Sequence, residues 1–313
     1  MLAQYGDLYP LVIPSKTGLM NPSILNDNGN LIVNLRQVNY AFYHSEKNRF
    51  HHPFGPLTYL HPENDVKLRT WNWMLHLNDD YSVREYNKTD TSNFDQKPLW
   101  TFIGLEDARL VRWDGKLYQT GVRRDTDTTG KGRMELSEIN ERGVEVSRAR
   151  IPTPVHDSYC EKNWMPVLDQ PYTYVKWSNP TEVVRYDPET KKTEQLVHKS
   201  QFVSWQTRGG SQVIPIGQRY CAITHDVDLY KSETGKKNAK YTHRILVWDR
   251  DWNLVKMTGQ FNFMDGFVEF CTGMCLHNGK IVLSFGFQDN AAYLLTLDMD
   301  TFEGFINERN IIN

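Results

Sequence analysis

Glu106, Asp107 and Arg109 stand within a four-residue run, Glu106-Asp107-Ala108-Arg109. They come directly before an alternating segment, Leu110 to Tyr118, that is broken by an Asp114-Gly115 turn. Neighbouring carboxylates beside an arginine can divide work at a site, one facing it while the other braces it. Successive strand residues point to opposite faces, so this spacing predicts that one of the two acids faces a site while the other braces it. A solvated charge cluster at a loop end would look the same in isolation. The rest of the chain has to decide.

Composition narrows the classes. A formal net charge of −2 over 313 residues gives no electrostatic reason to expect nucleic acid, a membrane surface or a polyanion as partner. Residues Met1 to Pro14 lack the charged and apolar regions of an export signal, and no stretch is long and apolar enough to span a bilayer, so a cytoplasmic location is expected. The cysteines, Cys160, Cys221, Cys271 and Cys275, are too sparse for a disulfide framework and lack zinc-ligand spacing; reduced core thiols and no metal are expected. Nine Trp, 16 Tyr and 14 Phe, with little long helical periodicity, favour sheets.

The chain repeats a short apolar strand, a turn and a second strand. These units are Ser23–Arg36 turning at Asp27-Asn28-Gly29, Ala108–Val122 at Asp114-Gly115, Trp164–Ser178 near Asp169-Gln170-Pro171, Gln212–His225 at Gly217-Gln218, and Gly273–Phe287 at Asn278-Gly279. A further polar tip follows each: Asn78-Asp79-Asp80, Asn140 to Gly143, Asp187 to Thr190, Asp249 to Asn253 and Asp298 to Thr301. Two hairpins per unit predict four strands, and such units cannot bury both faces alone. The expected fold is all-β, a five-bladed β-propeller over residues 1–313 as one domain, with a strand in Leu8–Pro14 pairing with the last blade to close the ring. A β-sandwich would not repeat the same pair of hairpins. Polar insertions at Tyr43–Lys67, Tyr86–Trp100, Arg123–Arg133 and Tyr230–Lys240 are expected to lie over one rim and shape a pocket.

A propeller brings equivalent ends of its inner strands together, and those ends carry the chemistry-bearing residues. Blade one offers Asn21, Arg36 and Asn39; blade two Glu106, Asp107 and Arg109; blade three Glu161, Lys162, Asn163 and Trp164; blade four Arg208, His225, Tyr241 and Arg244; blade five Glu269 and Asp289. Singly, each has an ordinary structural use: a lone histidine is more often hydrogen-bonded in a core, Glu161-Lys162 is a common surface pair, and Gly209-Gly210 has no helix after it to hold an anion. Their recurrence at matching positions distinguishes them. A ring of carboxylates, guanidinium groups, imidazole and indole suits a polyhydroxylated ligand.

The runs Asn21-Pro22-Ser23, Gly104-Leu105-Glu106-Asp107-Ala108-Arg109, Glu161-Lys162-Asn163-Trp164, Gly209-Gly210-Ser211, His225-Asp226-Val227 and Phe285-Gly286-Phe287-Gln288-Asp289 resemble glycoside hydrolase family 130 and its propeller relatives, in order from Asn21 to Ala292. That resemblance implies a carbohydrate or glycoconjugate substrate, probed by an inverting mannoside phosphorylase or hydrolase, or by a related sugar-nucleotide-dependent mannosyltransferase. It implies Asp107 as general acid, acting directly or through a sugar hydroxyl. A phosphorylase uses inorganic phosphate as co-substrate and needs no other cofactor; Arg36, Lys162, Arg208, His225 and Tyr241 could cradle it. A hydrolase needs a second carboxylate about 6.5–9.5 Å away, for which Glu161, Glu269 and Asp289 are the candidates. The remaining alternative is a propeller that binds glycan or protein without chemistry. The sequence carries no signal for oligomeric state.

Overall fold

The computed structural model describes residues 1–42, 59–60, 64–154, 158–200, 207–231 and 237–312. It is a five-bladed β-propeller. Blade one is Leu19–Asp27, Asn30–Val38, Leu68–Leu77 and Val83–Lys88; blade two is Glu106–Trp113, Lys116–Arg123, Arg133–Ile139 and Glu145–Arg150. Blade three is Met165–Pro166, Thr173–Ser178, Thr181–Asp187 and Lys192–Lys199. In blade four the inner strand is split into Arg208–Gly209 and Ile214–Ile216, followed by Arg219–Lys231, Lys237–Asp249 and Leu254–Met257. Blade five takes Glu269–His277, Lys280–Phe287 and Ala291–Asp298 from the end of the chain and its outer strand, Asp7–Pro10, from the beginning.

That last pairing, Leu8 opposite Leu295 and Tyr9 opposite Leu294, closes the ring as the sequence predicts. It also explains one departure. Asp298 to Thr301 is not a hairpin tip: the amino-terminal strand already occupies the edge, and Met299–Glu308 forms a helix instead. Its buried Phe302, Phe305 and Ile306 pack onto the core between blades four and five. Tyr230–Lys240 departs as well, since the strands on either side pair out to Lys231 opposite Lys237, a long hairpin where an irregular insertion was expected. Most of the Tyr43–Lys67 insertion lies outside the described residues.

Alternation along each strand sends apolar side chains between blades, where burial of such surface contributes about 25 cal/mol per Å². Val111, Trp113, Trp164 and Tyr174 fill the gap between blades two and three; Val175, Val183, Trp248 and Trp252 fill the next. The axis itself carries a polar plug, Gln212. Gln212 donates to Ser23 Oγ (3.0 Å), Ile24 O (2.9 Å) and Leu110 O (2.9 Å), and accepts from Met274 N–H (2.9 Å), so one side chain ties blades one, two, four and five. Buried groups satisfied in this way hold the inner strands in one mutual position.

Candidate active site

The inner-strand ends meet just above that plug, at Asp107. Its Oδ1 accepts from Arg36 Nη1 at 2.6 Å and from Asn21 Nδ2 at 2.8 Å. Both Asn21 (φ 45°) and Asp107 (φ 49°) lie in the left-handed region, each where the pairing of its inner strand slips register. Such a bulge inserts an extra residue and re-aims a side chain. Asp107 is therefore turned to the same side as Glu106, and Arg36 meets both: Glu106 Oε2 lies 3.7 Å from Nη2. The expectation from strand alternation, that Glu106 faces away, fails for this local reason. Gly286 makes room for the arrangement, because a Cβ there would lie 2.1 Å from Asn21 Oδ1.

The electrostatics separate the three carboxyls. Burial alone would raise Asp107, but Arg36, Arg109 and the Asn21 hydrogen bond outweigh it and bring it down to about 2. Burial pushes Glu106 up against the pull of Arg36. Burial also raises Asp289 to about 6, with the Asp107 charge adding to it and Arg36 opposing it. Asp289 sits just past the end of its strand at φ 50°, and among the described residues no donor reaches its carboxyl.

Cations exceed what these acids neutralise. Arg109, fully buried, spends Nε on Gly210 O (2.9 Å) and Nη1 on Asp107 O (2.7 Å), and leaves Nη2 without a partner. Burial lowers Arg109 to about 10, so it stays charged at neutral pH. Lys162 is exposed and Arg208 half-buried; neither has a carboxylate partner among the described residues. His225 stacks on Tyr241 with ring centroids 5.5 Å apart and meets Phe270 edge-on. Burial, then His243, Arg208, Arg109 and Lys162, hold His225 well below the usual histidine range, so it is neutral, and its Nδ1 has no partner. Burial raises the Tyr241 hydroxyl, which also stays neutral. Asn163, at φ 63°, carries a buried Oδ1 without a partner.

Other expected site residues are committed to the scaffold. Glu269 accepts three backbone N–H groups, from Phe263 (2.6 Å), Met264 (2.8 Å) and Gly266 (2.7 Å), and caps that loop. Glu161 accepts from Ser158 Oγ (2.9 Å) and Trp164 Nε1 (3.1 Å), with Lys176 Nζ at 4.0 Å. Trp164, 1% exposed, lies in the core against Tyr174 and offers no face for stacking. Arg244 pairs with Asp226 (2.8 Å) and donates to Thr258 O. Asn39 ties Arg69 N–H (2.6 Å) to Lys67 O (3.0 Å). Conversely, Thr70 and Tyr40 hold the Arg36 guanidinium, at 3.1 and 2.5 Å from Nη2, and Thr70 escapes sequence reading because it belongs to a third strand and carries no charge to draw notice. Among the described residues no cluster of His, Cys, Asp and Glu could hold a metal ion, and no helix is long and apolar enough to cross a membrane.

The five-bladed propeller fold is shared with solved structures of mannoside phosphorylases and related glycoside hydrolases. The β-1,2-mannobiose phosphorylase of Listeria innocua aligns over 97% of this chain and 100% of its own, with a TM-score of 0.55 and 12% identity. A structure from the GH130 family, described as containing hydrolases that target β-1,2-mannosidic linkages in Candida mannan, aligns over 91% and 85% with a TM-score of 0.60 and 12% identity. The mannose phosphorylase MPT-4 of Leishmania mexicana, solved with phosphate, aligns over 95% and 88% at 0.54 and 11%. At such identities the likeness is one of fold. No family profile and no curated protein sequence matches the chain.

Proposed function

We propose that the protein is a glycoside-cleaving enzyme of the phosphorylase/hydrolase kind, acting on a mannoside by inverting displacement, with phosphate as the nucleophile. The observation that carries this is the surplus of cations: Arg109 Nη2 has no partner, Lys162 and Arg208 have no carboxylate partner among the described residues, and their charges act on Asp107 (Arg109, Lys162) and on His225 and Tyr241 beside it (Arg208). An oxyanion with several acceptor atoms is the ligand that satisfies them, and neutral His225 and Tyr241 add hydrogen-bonding groups without adding charge.

Asp107 is the general acid in this scheme, and Arg36 is its control. In the resting site Arg36, Arg109 and the Asn21 hydrogen bond hold the Asp107 carboxyl ionised at neutral pH. Bound phosphate competes for the guanidinium and places negative charge beside Asp107, and both effects raise its affinity for a proton. Burial, the largest single influence on Asp107, acts in the same direction, against the remaining pull of Arg109, Asn21 and Lys162. The acid thus becomes competent when the nucleophile is in place. Asp107 gives its proton to the leaving glycosidic oxygen, directly or through a sugar hydroxyl, as phosphate attacks the anomeric carbon from the opposite side. The products are a sugar 1-phosphate and the free acceptor sugar.

Hydrolysis is the second reading, and Asp289 favours it. Of the three candidate bases, Glu161 and Glu269 have their oxygens bonded to protein donors, whereas Asp289 has neither oxygen so bound and lies near pKa 6, suited to accept a proton from water. A product assay with β-1,2-mannobiose decides. Phosphate-dependent release of sugar 1-phosphate supports the first reading; mannose release indifferent to phosphate replaces it with the second; no turnover of any mannoside sinks both.

A further inference from the structure

The gap between blades one and two is unlike the others. The remaining blade interfaces are filled by large apolar clusters, but here the apolar contact shrinks to Leu25, Ile32, Met74, Leu110 and Leu117. Between the same two blades lies a crevice of about 970 Å³. That is at the upper end of the roughly 300–1,000 Å³ usual for small-molecule sites.

Its floor is polar, buried and organised. Gln119 donates to Asn34 Oδ1 (2.9 Å) and Thr89 Oγ1 (3.2 Å), and Asn34 in turn donates to Asn72 (3.0 Å). Arg123 pairs with Glu135 at 2.7 Å. Asp125, 7% exposed, accepts from Gly104 N–H (2.9 Å) through Oδ2, and its Oδ1 has no donor. A buried carboxylate oxygen without a donor, beside a cavity, calls for a ligand hydroxyl or a water. At the rim Trp71 is partly exposed, with Lys88 Nζ 4.9 Å from its ring centre. The cations around the crevice are largely compensated: Arg123 by Glu135, Arg148 by Glu145 (2.5 Å) and Arg69 by Asp65 (3.1 Å). A strongly anionic ligand has little to gain there.

The crevice also shares a wall with the active site. Thr70, whose hydroxyl bonds Arg36, lines it, as do Gly104 and Leu105, which lead directly into Glu106.

We propose that this crevice is a second binding site for a neutral oligosaccharide, with Trp71 as the stacking platform for a sugar face and the buried amide, hydroxyl and carboxylate groups receiving its hydroxyls. The chemistry matches: an indole offers apolar surface to the C–H face of a pyranose, while a polar floor replaces the water its hydroxyls lose. The inference rests on the carbohydrate reading above and extends it to longer substrates, whose units beyond the cleaved bond the crevice would hold.

The test is calorimetric titration of β-1,2-mannotetraose and β-1,2-mannobiose into the Asp107→Asn protein, alone and combined with Trp71→Ala or Trp71→Phe, together with steady-state kinetics of the Trp71 variants carrying Asp107. Expected is a loss of about tenfold in tetraose affinity for Trp71→Ala, recovered in large part by Trp71→Phe, with kcat and KM for mannobiose within about twofold of the parent. Equal tetraose affinity with and without Trp71 overturns the proposal and leaves the catalytic reading intact. Equal losses for both sugars also overturn it, because they place Trp71's influence on the central site. If the parent turns over no mannoside while Trp71-dependent tetraose binding persists, the catalytic reading fails and the crevice stands.

Discussion

Replacing Asp107 with Asn tests the acid against its structural alternatives, provided the leaving group is varied. Asparagine keeps the size of the side chain and its Oδ1 as an acceptor for Arg36 Nη1 and Asn21 Nδ2, now 2.6 and 2.8 Å away. What it loses is the charge and the transferable proton. A general acid contributes about 10²–10⁴-fold, so kcat/KM on β-1,2-mannobiose should fall by that factor. On 4-nitrophenyl β-mannoside the fall should be less than about tenfold, because nitrophenolate departs without protonation. Uncovering Arg36 also has a structural cost. Buried pairs broken on one side lose about 3–5 kcal/mol, but Glu106 remains 3.7 Å away and Tyr40 and Thr70 keep their bonds, so about 1–3 kcal/mol is the expected destabilisation. Thermal melts of parent and variant must accompany the kinetics. Equal losses on both substrates would refute the reasoning, since a disordered pocket or lost binding cannot distinguish good leaving groups from poor ones. Unchanged turnover of mannobiose would remove Asp107 from proton transfer altogether.

Because the bulge turns both acids toward Arg36, Glu106→Gln is expected to lower mannobiose kcat/KM at least tenfold, and activity within twofold of the parent would show that Glu106 is a spectator. Asp289 has a folded-state pKa of about 6, raised above the ordinary 3.8, so its stabilising contribution is complete below about pH 3.8 and is lost as pH rises through about 6. Asp289→Asn should therefore gain on the parent in chemical denaturation at pH 7.5 relative to pH 4, by up to about 3 kcal/mol; a pH-independent difference would contradict the assigned burial. Phosphate at millimolar concentration should raise the melting temperature by a few degrees in the parent and by less than half as much in Arg208→Ala or Lys162→Ala, read by scanning fluorimetry. Gln212→Leu leaves Ile24 O, Leu110 O and Met274 N–H without their present partner and should cost about 3–5 kcal/mol in urea unfolding; a loss under 1 kcal/mol would mean the axial plug is dispensable.

The propeller was legible because its signals are local and repeated. Asp27-Asn28-Gly29, Asp114-Gly115 and Asn278-Gly279 demand tight turns wherever they occur, and in the structure Asn28, Asp114, Asn278 and the glycines after them take positive φ. Ring closure could be anticipated since an apolar strand at the start of the chain had no other partner. The helix at Met299–Glu308 was missed for the complementary reason: Asp298 to Thr301 reads equally as a turn or as a helix start, and which one forms depends on whether the blade edge is already filled from the other end of the chain.

Within the site, position proved readable and role did not. Motif order placed Asn21, Arg36, Glu106, Asp107, Arg109, His225, Tyr241 and Asp289 around one electrostatic centre, as the mutual influences on Asp107, His225, Tyr241 and Asp289 show. Yet a carboxylate's availability depends on donors that sequence spacing does not display. Glu269 lies on an inner strand like Asp107, but the backbone from Phe263 to Gly266 folds over it and supplies three N–H groups, which turns a candidate base into a loop anchor. Asp289, two residues beyond Phe287 at the strand end, has no such donors among the described residues, and the neighbouring Val268 N–H goes to the Gln288 side chain instead. Alternation likewise predicts which face a strand residue takes only while the ladder keeps its register. At Asp107 the register slips, and the slip brings two carboxylates to one guanidinium where a regular strand would deliver one. The departure from regular structure is thus what creates the coupled Arg36–Asp107–Glu106 group, and removing the slip should disable it even with every side chain retained.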